Sequence, residues 1–498
     1  MKKSGILCMC LFLFSINLDS QSRLSELFLR FEVIFEHPIE NIFTEDLNQD
    51  GLKDLLIVTN AEEKRLHQIF FQKEAGFSQT PDQVLVLDES AILFDIGDIS
   101  DEFSGKEIVY LTRDSLYCYH LKESHYQQEP ERLIDIPSIL QSPSPECPVR
   151  AELIYTLENG SKFLLIPGPD TAAIIYCQSG KSMEIQNIHI RSNFITSTEF
   201  RSSQEDTGIG DFAQKISVRV PLLYIKDFNG DKRQDIISVY KDKIKVFFNH
   251  EDGRFSINPD FEIDLEVLTE EEKKKALKPL FKAEAVDLDS NGLTDFIVTK
   301  ITIKTTTGIT KVYIHLNQDG RINKIPDQIM VFESSFGYPQ ILDLNADNHK
   351  DLIISELKFG FIQLIKILIT KKASFKEGVF LWKGGKFPSF PDFKLKSHME
   401  FDFDNPEIKG DLMHFGGDFN GDGIKDLLKS SSSDNKLYIF HGDLKNQKIY
   451  SKKANLEIKE SELPMELILK DLNNDKITDI LFDFKRAKKK NLVIYLSR

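Results

Sequence analysis

The chain has 498 residues, 41% of them hydrophobic, and its 38 phenylalanines supply bulk for a large core. A formal net charge of −15 argues against nucleic acid as a partner, because no surplus of cations remains to neutralise phosphates. Five cysteines spread over this length make no disulfide framework.

The N-terminal "MKKSGILCMCLFLFSINLDSQS" carries two lysines and then an apolar run from Ile6 to Leu18. That layout is a secretory signal peptide over 1–22, too short for a membrane span, with Ser20 and Ser22 as small residues before the cut. Cys8 and Cys10 sit too early for a lipoprotein site, so a lipid anchor is the lesser alternative. The expectation is an exported protein that is secreted, periplasmic or on the cell surface, with Cys118, Cys147 and Cys177 left after processing.

Next comes "LFLRFEVIF", Leu27 to Phe35, a strand candidate, and then the first of six similar acidic loops, "DLNQDGLKD" from Asp46. The others are "DFNGDKRQD" from Asp227, "DLDSNGLTD" from Asp287, "DLNADNHKD" from Asp343, "DFNGDGIKD" from Asp418 and "DLNNDKITD" from Asp471. Oxygen-bearing side chains at the first, third, fifth and ninth positions, with a carbonyl at the seventh, form a donor set for a hard cation such as calcium. The expected ligands are Asp46, Asn48, Asp50, Leu52 and Asp54 in the first loop, and Asp227, Asn229, Asp231, Arg233 and Asp235 in the second. They are Asp287, Asp289, Asn291, Leu293 and Asp295 in the third, and Asp343, Asn345, Asp347, His349 and Asp351 in the fourth. The last two sets are Asp418, Asn420, Asp422, Ile424 and Asp426, then Asp471, Asn473, Asp475, Ile477 and Asp479. An EF-hand needs a bidentate Glu at the twelfth position, where Ile57, Ser238, Val298, Ile354, Lys429 and Phe482 stand instead. Asp-Asn-Gly clusters also make plain polar turns. Six copies in register favour the metal, in a structural role.

Two weaker copies lie between the first and second loops. "DIGDISDEFSGKEIVYL" from Asp95 keeps acidic residues and a late Glu107, while "LENGSKFLLIPG" from Leu157 keeps the strand pattern without ligands. Downstream of the loops a second element recurs, in which Gly76, Gly253, Gly320 or Gly385 ends a strand. A Pro-Asp turn at Pro81, Pro259, Pro326 or Pro391 then leads into another strand. Each unit therefore reads as strand, acidic loop, two strands, Pro-Asp turn and strand: one four-stranded antiparallel blade. Such blades bury both faces only by stacking on neighbours, which makes 23–498 one all-β propeller. The last unit holds three strand candidates, and Leu27 to Phe35 is free to supply its fourth. Eight blades result, or seven if the third unit is only an insertion.

These motifs resemble the FG-GAP or VCBS repeat family, known from integrin α-chain propellers and many exported bacterial proteins. The resemblance covers nearly the whole processed chain and implies the propeller fold, while saying little about a ligand.

No zinc, nucleophile-elbow or phosphate-loop motif occurs, and no "CxxC". His349, His414 and Trp382 read as loop, strand and packing residues. Strand count places three insertions at the blade ends opposite the acidic loops. Arg191 to Gln214 reads as a polar loop, and "LTEEEKKKALKPL" as a short helix with a capping box at Thr269 and Glu272. "GFIQLIKILITKK" reads as a helix, Phe361 to Lys371, with Phe361, Leu364, Ile365, Leu368 and Ile369 on one face. The expected function is an exported, monomeric, calcium-stabilised scaffold that binds a protein or glycan on that rim. The helix is its contact for a partner or a membrane surface, and a polysaccharide-active enzyme on the same propeller is the alternative.

Overall fold

A computed structural model describes residues 24–61, 64–139, 148–177, 183–201, 211–274, 279–303, 308–333, 335, 337–357, 361–401, 408–431, 433–443, 449–464, 466–484 and 490–498. The segment 1–22, expected from its sequence to be an export signal, and Cys147 lie outside them.

The chain is all-β and builds the eight antiparallel blades of a β-propeller. They span 39–86, 93–135, 154–188, 222–264, 280–332, 340–401 and 413–459, with the eighth at 466–497. Blade 8 takes its outer strand from the start of the chain: Phe28–Ile34 pairs antiparallel with Asn491–Ser497 over seven residues, Phe28 opposite Ser497. The expected sharing of the last blade by the two ends is therefore observed, and a sheet edge near the C-terminus is covered. Blade 2 gains a short parallel strand, Val149–Arg150, beside Leu93–Gly97, and blade 6 gains Ile408–Gly410 beside Phe393–Phe401.

Packing divides the chain into two compact units, one of Met1–Leu87, Ile301–Lys311 and Met330–Arg498 and one of Asp88–Lys300 and Val312–Ile329. In the first, blades 6 and 7 share a core around Ile353, Val379 and Leu427, and blades 7 and 8 one around Leu437, Ile439 and Phe482. Blades 8 and 1 share another around Ile57, Phe70, Leu481 and Ile494. In the second unit, corresponding cores join blades 2 and 3, 3 and 4, and 4 and 5.

The strand sequences follow from this stacking. The second strand of a blade is buried on both faces and reads as a continuous apolar run, as in Glu107–Leu111 and Asp479–Asp483, where every residue is buried. Outer strands alternate instead, as in Gln83–Val86. At the Pro-Asp turns, Asp82, Asp260, Asp327 and Asp392 accept the N–H groups of Phe71, Phe248, Leu316 and Leu381 at 2.8–2.9 Å. The aspartate satisfies a donor that leaves the ladder just as the third strand ends.

Two insertions differ from the reading of their sequence. The stretch Arg191 to Gln214 holds a strand, Asn193–Arg201, paired over nine residues with Asp211–Arg219. Its polar composition hid the β-branched residues Ile195, Thr196 and Thr198, which are at home in a two-stranded ribbon. The apolar helix is present as Phe361–Thr370 and stops where Lys371 adopts φ +53° and donates its N–H to the Ile367 carbonyl at 2.7 Å. Ile365 and Ile369 are exposed, whereas Ile367, outside the expected stripe, is buried. The short helix Glu270–Lys274 has the expected capping box: the Thr269 N–H reaches Glu272 Oε2 at 2.9 Å and the Glu272 N–H reaches Thr269 Oγ1 at 3.2 Å.

Gly76 has φ +94°, and a Cβ there would lie 2.1 Å from Cζ of Phe31, whose ring is edge-on to Phe77 at 6.3 Å. Gly51 has a similar φ of +92° with open space around it. Gly76→Ala is expected to lose about 2–4 kcal/mol in urea unfolding, overpacking added to backbone strain, and Gly51→Ala only about 1. Equal losses would show that the Phe31 contact carries no weight.

Candidate metal centres

All six acidic loops adopt one backbone. The fourth and sixth positions have positive φ in every copy: Gln49 and Gly51, Gly230 and Lys232, Ser290 and Gly292, Ala346 and Asn348, Gly421 and Gly423, Asn474 and Lys476. Seven of these twelve residues are not glycine, so the loop holds a conformation that an L-residue disfavours. What compensates is an internal set of hydrogen bonds. The first Asp accepts loop N–H groups, as Asp418 does from Gly421 and Gly423 at 2.8 Å each. The third-position oxygen takes the fifth N–H, and the fifth-position oxygen takes the seventh, as in Asn229 to Asp231 at 2.9 Å and Asp231 to Arg233 at 2.8 Å. Five loops also join the third-position amide to the fifth-position carboxylate, for example Asn48 Nδ2 to Asp50 Oδ2 at 2.9 Å.

The ninth residue behaves differently from the rest. Asp54, Asp235, Asp295, Asp351, Asp426 and Asp479 are fully buried at the start of the second strand. One oxygen of each accepts the N–H of the loop's second residue: Leu47, Phe228, Leu288, Leu344, Phe419 and Leu472, at 2.6–3.1 Å. The other oxygen accepts an N–H just beyond the third strand (Gln72, Asn249, Asn317, Trp382 and Gly442) or, in blade 8, of that strand's last residue, Ser497, at 2.6–3.0 Å. Each ninth Asp thus clamps the loop, the second strand and the exit of the third. Burial pushes these carboxyls up, to about 7 for Asp54, Asp235 and Asp295. For Asp351, Asp426 and Asp479 it pushes them to about 6. The second residue, always Leu or Phe, is buried beneath the clamp. Its recurrence was visible in the sequence, but its role was not.

The donor set suits a hard cation, since every side chain in it offers oxygen. In the third loop the carboxylates of Asp287, Asp289 and Asp295 lie within 4.8 Å of one another, the single such group of three among the described residues. Here the third position is Asp, and the fifth-position Asn291 turns its amide to the Asn317 carbonyl at 3.3 Å. In the fourth loop the exposed His349 meets Asp347 at 3.3 Å through Nδ1. Burial pushes His414 down to about 4. Trp382 is buried, edge-on to Phe387 at 4.9 Å, and works as packing.

The two weak copies depart in ways that can be read atom by atom. In blade 2, Glu107 takes the clamp position and accepts the Ile99 N–H at 2.9 Å, with its other oxygen 3.4 Å from His120 Nδ1. The longer side chain goes with a connection of nine residues (98–106) in place of eight. In blade 3 the connection shrinks to five residues (157–161) and Lys162 stands in the clamp position. Its Nζ lies 2.7 Å from Asp98 and 2.6 Å from Asp101, in the loop of the preceding blade.

The loops also connect neighbours. In the first unit, Lys425 N–H reaches the Leu344 carbonyl at 3.0 Å, Thr478 N–H that of Asp418 at 2.7 Å, and Lys53 N–H that of Leu472 at 2.7 Å. In the second, Gln234 Oε1 accepts the Glu158 N–H at 2.7 Å and Thr294 Oγ1 donates to the Asp227 carbonyl at 2.7 Å. In each case the eighth residue of one loop stitches its blade to the one before.

Strand order, loop and stitch define the class: a β-propeller of eight blades built from an acidic-loop repeat. Residues 418–482, from the fifth acidic loop through the sixth, match the FG-GAP-like repeat. No curated protein matches the chain. Among solved structures, a protein from Lactobacillus plantarum is 8% identical, with 87% of this chain and 98% of that one covered at a TM-score of 0.30. BBS1N, solved in complex with ARL6DN, is 8% identical, with 70% and 92% covered at a TM-score of 0.27. Likenesses this loose bear on neither fold nor function.

Asp351→Ala leaves the buried N–H groups of Leu344 and Trp382 without their acceptor. The expected loss is about 2–5 kcal/mol in urea unfolding, measured in chelator so that metal plays no part. A loss below 1 kcal/mol in chelator would remove the clamp from the account.

Proposed function

We propose that the protein is an exported propeller whose six acidic loops bind calcium, and that it serves as a scaffold for a protein or glycan ligand. The observation that carries the metal reading is the identity of the six loops in donor positions and in backbone, both positive φ angles included. Calcium there is structural. It gathers carboxylates that otherwise repel and fixes the turn from which each stitch departs. Six divalent ions would also bring the formal charge of −15 to −3. Export rests on the sequence of 1–22 alone.

Recognition falls to the blade ends opposite the loops. The hairpin Asn193–Arg201 with Asp211–Arg219 and the helices Glu270–Lys274 and Phe361–Thr370 all interrupt connections at those ends. Elaborated connections of this kind carry binding residues without disturbing the blade cores. The enzyme alternative needs convergent free basic or histidine side chains in a cleft. A cleft of about 780 Å³ is lined by Arg30, Lys436, Lys459 and Arg498. Glu460 holds Arg30 at 2.6 Å and Glu457 holds Lys436 at 2.8 Å, which favours the scaffold.

Calcium added to chelator-treated protein is expected to raise the melting temperature, with magnesium a poor substitute, because binding to the native state alone stabilises it. No bound calcium and no shift would end this reading. In calcium titration, Asp422→Ala is expected to lose about one ion while Asp101→Ala loses none, since blades couple chiefly to their neighbours. Ile365→Glu with Ile369→Glu alters two exposed side chains and is expected to leave melting nearly unchanged. The same pair is expected to abolish binding on glycan arrays or in vesicle flotation. Retained binding would move recognition to the Asn193–Arg201 hairpin.

A further inference from the structure

We propose that the Lys162 ammonium is a built-in cation that stands in for a metal ion at the loop of blade 2. The junction of blades 2 and 3 then stays closed when calcium is withdrawn from the six acidic loops; the last clause rests on the calcium reading above.

The register makes the argument. Lys162 is the first residue of the second strand of blade 3, where six other blades place a buried Asp and blade 2 places Glu107. A lysine cannot accept the two N–H bonds that such a carboxylate takes. The connection before it has lost the need for a clamp, because its five residues close as a tight turn, with Leu157 N–H on the Ser161 carbonyl at 2.8 Å and Gly160 N–H on the Leu157 carbonyl at 2.9 Å. The side chain turns instead to the preceding blade and sits between Asp98 and Asp101 at 2.7 and 2.6 Å. It is only 12% exposed, while Asp98 and Asp101 are 27% and 72% exposed. A shielded cation held by two carboxylates keeps more of its attraction than a fully exposed pair.

The same acids face opposite demands in the two kinds of loop. In the six loops the carboxylates hydrogen-bond within their own loop, to main chain or, for Asp479, to the Ser497 hydroxyl; the Arg233 guanidinium, 2.6 Å from Asp231, and His349, 3.3 Å from Asp347, lie in the same loop as their partners. At blade 2 the opposing charge is covalently tethered, so its local concentration does not fall when free calcium does. The tether also spans a junction, reaching from blade 3 to the loop of blade 2. At five other junctions a main-chain or side-chain hydrogen bond of the eighth residue makes that link. One sector of the repeat array thus has a stitch that answers to no ion. In an array coupled through nearest neighbours, such a sector is where structure persists under calcium loss and from which refolding spreads.

Hydrogen exchange on the full chain, with calcium and with chelator, tests both readings separately. In the wild type, chelator is expected to speed exchange about tenfold or more in Asp235–Tyr240, Asp351–Glu356 and Asp426–Ser431, and to leave Glu107–Leu111 and Lys162–Pro167 within about twofold. In Lys162→Met the last two strands are expected to exchange about tenfold faster with calcium and chelator alike, whereas Lys162→Arg keeps wild-type protection. Should Lys162→Met fail to fold, Asp101→Asn, at an exposed partner, is expected to show a smaller loosening confined to the same two strands. Wild-type exchange in Lys162→Met, or in Asp101→Asn where that variant is used, overturns the tether. So does opening of Glu107–Leu111 together with the other blades on chelation. A wild type that chelator leaves unchanged in every strand overturns the calcium reading, and with it the idea that Lys162 replaces an ion.

Discussion

A carboxylate with both oxygens spent on main-chain N–H groups is the constraint from which the rest of each blade follows. Asp54, Asp235, Asp295, Asp351, Asp426 and Asp479 are buried where the second strand begins. From there each ties the start of its loop to the chain leaving the third strand. Neither N–H has a place in the sheet ladder, and leaving a donor buried and unmet costs about 1–3 kcal/mol. Meeting both with one short side chain fixes the spacing between loop and strand. It also draws the Leu or Phe at the second position into the core, and it aims the eighth residue at the neighbouring blade.

Stacking then converts a local device into a long-range one. Within each unit, blade interiors are shared with neighbours, as Phe482 of blade 8 is with Leu437 of blade 7 and Ile57 of blade 1 with Ile494 of blade 8. The stitches run between the same pairs at the loop end. Stability is therefore nearest-neighbour in kind, and a defect in one loop is felt first at two junctions. The exceptions obey the same logic. Where blade 2 has one more residue in its connection the clamp lengthens from Asp to Glu107, and where blade 3 has three fewer the clamp is gone and Lys162 serves the neighbour instead.

The two ends of the blades carry different work. At the loop end, connections are short, strained at two positive φ angles and braced from within, so little can change there without loss of the fold. At the other end the chain accommodates a hairpin of two nine-residue strands and two helices, none of which replaces a strand of a blade. One end thus holds the structure and the other is free to vary.

The sequence by itself determined the repeat, the blade and the donor pattern. Period-two strands, Pro-Asp turns and nine-residue acidic loops are local signals, each written in adjacent residues. Even the return of Leu27 to Phe35 to complete blade 8 could be read from a missing strand at the other end. Tertiary structure alone decided what depended on distance in sequence. That the ninth Asp clamps an N–H some 14 to 31 residues away, as Asp235 does Asn249 and Asp351 does Trp382, is invisible in a nine-residue motif. That Lys162 answers carboxylates 61 and 64 positions earlier is equally so, because a lone lysine at a strand start looks like any solvated cation. The polar stretch after Arg191 became a hairpin through pairing with a second strand, and Ile367 rather than the Ile365 and Ile369 stripe was buried. Periodicity says which residues share a face, and only the packed neighbours say which face is covered.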